Sequence, residues 1–345
     1  MSTTRLTTEE VRHLVVTALV VHATHPRNAA SVATALLAAE IDGQAGHGLS
    51  RVPSYAAQAA SGKVDGRAAP SAEAVGPSSW RVDAGHGFAY PALDLAIERL
   101  TESVPGRAIG IASVGRSHHA GQAGFHVERL AERGLIGLFF GNSPKAIAPW
   151  GGNLPLFGTN PIAFAVPRRG HPPLVIDTSL SKVARGKIML AARSGEPIPE
   201  GWALDATGAA TTDPQAALAG SMLPMGEAKG AALVMMVEIL SAALAGAHFG
   251  FEASSFFDAE GAPPGVGQTL IAIHPESLGG SHFSDRLEIL LDAVLAQSGT
   301  RLPGAGKPER REQAARDGVG IPTALHAELQ ALASAKAHDS GNASR

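Results

Sequence analysis

Apolar residues recur every three or four positions at Val11, Leu14, Val15, Ala18 and Leu19, the spacing of one helix face. Thr7 and Glu10 precede that run at capping-box spacing, which places the helix start at Thr7. A second helix follows His25-Pro26 and stops at Asp42-Gly43. A third runs from Arg51 to Ala60, with Pro53 near its start and Gly62 after its end. Residues 63–79, rich in Gly, Pro, Ala and Ser, read as a connector. The pattern then changes. Residues 80–83, 108–114 and 135–140 read as strands alternating with helices over 90–103 and 122–133, an α/β arrangement. From 142 to 173 the chain is rich in Pro and Gly, and its apolar runs at 162–166 and 174–176 suit buried strands. A helix is predicted over 181–193, closed by Gly195, and a loop over 196–223. Residues 229–247 are apolar on most faces and predict a helix central to the core. A strand at 269–273, a helix at 285–297 and helices within 309–335 follow, and residues 336–345 read as a frayed end.

Composition narrows the class. The 345 residues are 45% apolar and 17% charged, a globular balance with room for two domains. Cysteine is absent, which excludes disulfides, thiolate metal sites and a Cys nucleophile and fits a reducing cytoplasm. A net charge of −3 and 5% aromatics argue against a nucleic-acid face. The polar start MSTTRLTTEE shows no signal peptide, and Glu238 interrupts the longest apolar run, so neither secretion nor a membrane span is expected. No glycine fingerprint of a Rossmann fold, phosphate-binding P-loop, nucleophile-elbow serine or zinc-protease motif occurs, and no histidine pair has helical metal-ligand spacing with a carboxylate.

Five clusters carry side chains suited to chemistry. Asp42 to Tyr55 brings an imidazole, a guanidinium and a phenol together. His47 can exchange a proton near neutral pH, and Arg51, which would share its face on a helix, can clamp a carboxylate or sulfonate. A glycine-flanked loop with a solvated His fits the same residues. Val114 to Gly124 links a predicted strand to a predicted helix; Gly121 and Gly124 allow close approach, and the helix start offers free amides to phosphate. A turn with exposed His118 and His119 fits equally. Asn142 to Pro161 sets Lys145, Thr159 and Asn160 among turn formers. Asp177 to Lys187 offers Asp177 for a cofactor hydroxyl and Arg185-Gly186 for an anion, or alternatively a helix capped by Asp177 or Ser179. Lys229, at the start of an apolar helix, opposes the helix dipole and hints at an anionic partner; a surface Lys is the plainer reading.

These clusters resemble, in order, the malate/L-lactate dehydrogenase family of the second type, a non-Rossmann family of NAD(P)-dependent oxidoreductases. The resemblance rests on HGLSRVPSY, GHGFAYPAL, SHHAGQAGFHVERLAERGLIGL, PWGGNLPLFGTNPIAFAVP, VARGKI, IPEGWALD and LPMGEAKGAALVMMVEIL, and covers nearly the whole chain. It implies an α/β fold with a mostly antiparallel central sheet. It also implies a helical unit from residues 1–75 with 300–345, an α/β unit over 76–299, and a homodimer. His47 matches the proton donor, although some members are described with His119 in that role. Arg51 matches the carboxylate clamp, and Thr159, Arg185 and Gly186 match substrate contacts. His119, Ala120, Gly121, Gln122 and Ala123, then Asp177, Thr178 and Ser179, then Lys229, and finally Arg301, Gly304 and Gly306 match cofactor contacts. No metal is implied.

The implied reaction interconverts a small 2-oxo acid and its 2-hydroxy acid, of 3-sulfolactate, malate or lactate type, with NAD or NADP. EIDGQAGHGLSRVPSYAAQ and FGFEASSFFDAEGAPPGVGQ resemble the bacterial 3-sulfolactate dehydrogenase branch. Reduction of cyclic imino acids is the alternative, and a non-catalytic NAD(P)H-binding protein a further one. Two positions depart from the imine-reducing branch, whose Ser and Asp relay charge to the histidine: here they are Gly46 and Lys187.

Overall fold

The computed structural model describes residues 2–335. The frayed end expected at 336–345 lies outside them.

Strand β1 (Thr3–Leu6) leads into α1 (Thr8–Val21), α2 (Pro26–Ile41) and α3 (Val52–Ser61). The capping box is formed: Thr7 Oγ1 accepts from Glu10 N at 3.2 Å, and the Glu10 carboxylate accepts from Thr7 N at 2.8 Å. Gly62 ends α3 at φ 78°, a conformation open to glycine. The residues ahead of α3 are not an extension of it, as a shared helix face for His47 and Arg51 would require. They form 3₁₀ turns, Ala45–His47 and Leu49–Arg51. Half-buried Glu40 supports this bend by accepting from Leu49 N at 2.9 Å.

The central sheet uses β2 (Ser71–Gly76), β3 (Ser79–Asp83), β4 (Ile109–Ser117), β5 (Ile136–Gly141), β6 (Ile162–Arg168), β7 (His171–Thr178) and, much later, β11 (Val266–Ile273). Helices α4 (Ala89–Ser103) and α5 (Ala123–Ala131) cover one face. Strand order is β2-β3-β4-β11-β5-β6-β7, and every pair is antiparallel except β3–β4, which α4 joins as a crossover. The expected mostly antiparallel α/β fold is therefore present. On central β11, Leu270 and Ala272 pack toward α4 and α5 while Ile271 packs on the opposite side, the period-two alternation of a strand covered on both faces.

The opposite face is covered by α6 (Arg185–Ser194), a small sheet of β8 (Ala203–Leu204), β9 (Ala210–Thr211) and β10 (Ser221–Met222), α7 (Pro214–Ala219) and α8 (Glu227–Glu238). After β11 come α9 (Pro275–Gly279), α10 (Phe283–Leu295) and α11 (Lys307–Asp317). Strand β12 (Val319–Pro322) then pairs antiparallel with β1, and α12 (Thr323–Ser334) lies on α1.

Four expectations are corrected. The connector contains β2, an edge strand exposed along most of its length, so its sequence carries no core-facing alternation. The 181–193 helix begins only at Arg185, because Ser181 bridges Pro224 and its side chain donates to Val183 O at 2.7 Å. The 196–223 loop carries α7 and the small sheet. The apolar helix is not buried all round. Ala231, Val234 and Val237 face the core, whereas Leu233, Met235 and Met236 are exposed, and a π-turn follows at Ile239–Ala243. No described helix is long and apolar enough to cross a membrane.

Candidate active site

His47, at the end of the first 3₁₀ turn, meets His119, just beyond β4: Nδ1 and Nε2 are 3.2 Å apart. Their ring centroids lie 5.2 Å apart with the planes within 20° of parallel. His119 Nδ1 lies 2.6 Å from Tyr55 Oη, and Tyr55 Oη lies 3.1 Å from Tyr90 Oη. Both ring nitrogens of His119 are thus engaged. His47 Nε2 makes no hydrogen bond among the described residues, so it alone of the four nitrogens is open to a substrate.

Arg51 sits on the second turn. Its Nε donates to Gly46 O at 2.7 Å and its guanidinium lies 4.7 Å from the Phe257 ring centre. Its Nη1 is buried without a partner. A buried unpaired donor on a cation calls for an anionic acceptor. Burial, then the Arg51 charge, lowers the His47 pKa to about 4. The same two causes, in that order, hold His119 well below the ordinary range. Phe256 packs 5.2 Å from both His118 and His119. Gln58 ties the wall together: its Nε2 donates to Phe256 O at 2.8 Å and its Oε1 lies 2.7 Å from His118 Nε2.

The candidate cofactor residues converge on the start of α5. Gly124 N donates to Asp177 Oδ2 at 2.7 Å, and Gln122 Nε2 donates to Asp42 Oδ2 at 3.1 Å. Asp177 therefore takes one of the helix-start amides that the sequence left free for phosphate. Burial raises its pKa. Gly121 sits at φ 68°, and a Cβ there would stand 2.5 Å from Tyr90 Oη. Ala120 and Ala123 flank that loop and strand-helix junction. Thr178 donates to Ser179 O, and Ser179 Oγ lies 3.2 Å from Ser181 Oγ. Gly304 comes against the end of β7, its Cβ position 3.3 Å from Val175 O, and Lys307 reaches Asp42 at 3.0 Å. Arg301, Gly304 and Gly306 are exposed on this turn.

A third group stands apart. Thr159 accepts from Leu180 N through its carbonyl at 2.8 Å and takes its own amide bond to Ser143 Oγ at 3.1 Å. Arg185 begins α6, half-buried, with burial lowering its pKa and no carboxylate partner among the described residues. Gly186 faces open space, and Lys229 is exposed in the first turn of α8. No hydrogen bond or ion pair among the described residues joins these four to His47 or His119. Buried Glu238 anchors the group by accepting from Asn142 Nδ2, Asn160 Nδ2 and Gly250 N. No described cluster of His, Asp and Glu has the makings of a metal site.

Sequence reasoning assigned no role to Tyr55 or Tyr90. A signal was present: the chain has two tyrosines, and both lie in this one hydrogen-bonded row. Asp42, Glu128 and Arg311, which brace the start of α5, gave none.

A malate/L-lactate dehydrogenase family model matches residues 6–330. The chain is 54% identical to the (2R)-3-sulfolactate dehydrogenase (NADP(+)) of Chromohalobacter salexigens over 89% of this chain and 92% of that protein. It is 42% identical to a Delta(1)-pyrroline-2-carboxylate/Delta(1)-piperideine-2-carboxylate reductase of Pseudomonas aeruginosa, over 95% of this chain and 99% of the relative. The crystal structure of the delta1-piperideine-2-carboxylate reductase of Pseudomonas syringae superposes with a TM-score of 0.91 at 39% identity, covering 95% and 99% of the two chains. The sulfolactate dehydrogenase of Methanocaldococcus jannaschii gives 0.87 at 28% identity, covering 95% and 96%. The chain belongs to the malate/L-lactate dehydrogenase family. Its relatives are named as dehydrogenases and reductases, and it is an oxidoreductase.

Proposed function

We propose that this enzyme interconverts a small anionic 2-oxo acid and its 2-hydroxy acid, of 3-sulfolactate, malate or lactate type, using NAD or NADP. The observation that carries the reading is the pairing of an open His47 Nε2 with the unpartnered, buried Nη1 of Arg51. Arg51 holds the carboxylate, and His47 exchanges a proton with the oxygen on C2. Arg185 favours a second anionic group such as a sulfonate: it is an unpaired, half-buried cation at a helix start, where the dipole favours negative charge.

The cofactor residues fit a nicotinamide dinucleotide. Residues 119–124, Asp177 and the 301–306 turn converge, and Gln122 Oε1 is a buried acceptor without a partner beside them. His119 and residues 120–123, Asp177 to Ser179, Lys229 and Arg301 to Gly306 would hold it. When bound, its reduced form supplies the hydride to C2. His47 is the acid/base rather than His119, because both His119 nitrogens are already committed. A homodimer is part of the proposal, with the exposed Leu233, Met236 and Ile239 at its contact.

The cyclic imino acid alternative is carried by the reductase relatives. Against it, His47 Nδ1 bonds His119 rather than a Ser–Asp relay. Position 46 is glycine with open space at its Cβ, and Lys187 is exposed. NADH and NADPH oxidation should be followed with 3-sulfopyruvate, oxaloacetate, pyruvate and pyrroline-2-carboxylate in parallel. The reading expects the highest kcat/KM for an oxo acid; a higher value for the imine sinks it.

Two further outcomes are expected. Arg51→Ala should raise KM for the oxo acid by roughly 10- to 100-fold, the worth of a hydrogen bond to a charged group, with a smaller change in kcat. An unchanged KM would remove the clamp. In pH profiles of reduction, the required form is His47 protonated, and its pKa in the free enzyme is lowered to about 4. The kcat/KM should therefore fall with rising pH across the neutral range. A bound carboxylate offsets the Arg51 charge, so the corresponding limb of kcat should lie at higher pH. For oxidation, which needs neutral His47, kcat/KM should not rise across that range on account of this group.

A further inference from the structure

A hydrogen bond needs one donor and one acceptor, and this rule fixes the row His47–His119–Tyr55–Tyr90 when His47 is charged. A charged imidazole has protons on both nitrogens, so Nδ1–H must be donated to His119 Nε2. Neutral His119 then carries its own proton on Nδ1. That proton faces Tyr55 Oη at 2.6 Å, and the Tyr55 proton can pass its bond to Tyr90 Oη at 3.1 Å. Both tyrosines are fully buried, 0% and 1% exposed, so no water is at hand to replace them.

Among the described residues no carboxylate acts on either histidine. The charged and titratable groups acting on the two histidines are Arg51, on the 3₁₀ turn, and His118 and His126, which flank His119; Lys63 acts on His118. All of these are cationic or neutral. Glu40, the nearby carboxylate on α2, is turned onto Leu49 N. The serine that might have held a relay is Gly46.

We infer that Tyr55, backed by Tyr90, is a positioning residue that acts through His119 to let His47 carry its second proton. A hydroxyl suits the task because it can accept or donate. When His47 is neutral the row can reverse, with Tyr90 donating to Tyr55, Tyr55 to His119 Nδ1, and His119 Nε2–H to His47. A carboxylate or an amide nitrogen could serve only one direction. The role rests on His47 being the proton-exchanging group proposed above.

The test uses Tyr55→Phe and Tyr90→Phe in the full-length enzyme. With phenylalanine at 55, the His119 Nδ1–H is buried and unpaired whenever His47 is charged. The His47 titration midpoint should fall by about one pH unit, and kcat for reduction at neutral pH by roughly tenfold, with KM for the oxo acid little changed. Tyr90→Phe should shift both in the same direction by less, because Tyr55 still accepts from His119. The midpoint is read by nitrogen-15 NMR of histidine-labelled protein, with circular dichroism to confirm the fold. A loss of thermal stability with the midpoint and the pH profile unmoved in a folded variant would make the tyrosines mere packing and overturn the assignment. Should Tyr55→Phe not fold, the Tyr90→Phe midpoint decides in the same way. If the wild-type enzyme reduces no oxo acid, the proposed substrate fails, while the NMR titration still decides the role of Tyr55.

Discussion

Replacing His47 with alanine should lower kcat for oxo-acid reduction by roughly 10²- to 10⁴-fold, the usual worth of general acid/base catalysis. The oxygen on C2 gains charge as the carbonyl is reduced, and without an acid that charge must be met by water. His47 is the group placed to prevent this, since its Nε2 is the open nitrogen of the paired rings. KM should change little, because the proposed carboxylate clamp is Arg51 and not His47. His119→Ala should also be harmful, but through loss of the Nδ1 partner that orients His47. Its pH profile should change along with its rate. Near-wild-type turnover in His47→Ala would transfer the proton to His119 and overturn the assignment. Steady-state kinetics of both variants over a range of pH separates the cases.

The largest effect on stability is expected at Asp42. Its carboxylate, 4% exposed, takes Arg311 Nε at 2.8 Å, Arg311 Nη2 at 2.9 Å, Gln122 Nε2 at 3.1 Å and Lys307 Nζ at 3.0 Å. Arg311 also forks onto Glu128, at 2.7 Å for each oxygen. Asp42→Ala leaves Lys307 without its carboxylate in a place that is 8% exposed, and Arg311 with half its bonds. Breaking such a buried pair costs about 3–5 kcal/mol. For a chain of this size that lowers Tm by on the order of 10 °C. Asp42→Asn, which keeps an acceptor without the charge, should recover part of the loss. Burial alone would push the Asp42 carboxyl up, but Arg311 and Lys307 outweigh it and hold its pKa below the ordinary value. The stability it contributes is therefore present above the unfolded-state value and lost as pH falls through the folded one. Because the same network fixes Gln122 and the turn at 304–307, cofactor affinity should drop with stability. A Tm within one degree of wild type in Asp42→Ala would refute the network's weight.

Much of the fold was legible where a rule is local. The α1 capping box, the Gly62 stop and the strand character of β4, β5 and β11 follow from neighbours a few residues apart. β2 was hidden because Ser71–Gly76 is an edge strand, and pairing to β3 supplies what its side chains do not. The α8 helix misled because apolarity all round signals burial, while its outer face is left uncovered by this chain. At the site, His47, Arg51 and His119 could be singled out from residue type and resemblance. Their arrangement could not, since His47 and His119 are 72 positions apart and Arg311 lies 269 positions from Asp42. The unpaired Arg51 Nη1 and the engaged nitrogens of His119 are facts of three-dimensional packing, with no trace in spacing.

The pairing of β1 with β12 has a consequence for how the molecule is made. Thr4 and Thr323 meet across 319 positions of chain, and α12 lies on α1 beside them. Helix α1 thus receives part of its cover from a helix that is synthesised about 300 residues later. Until then the apolar stripe of Val11, Val15 and Leu19 has no complete partner, and the long-range closure is a slow step. The segment that carries His47 and Arg51 belongs to this waiting unit. Activity should consequently appear in refolding only after β1 has paired with β12.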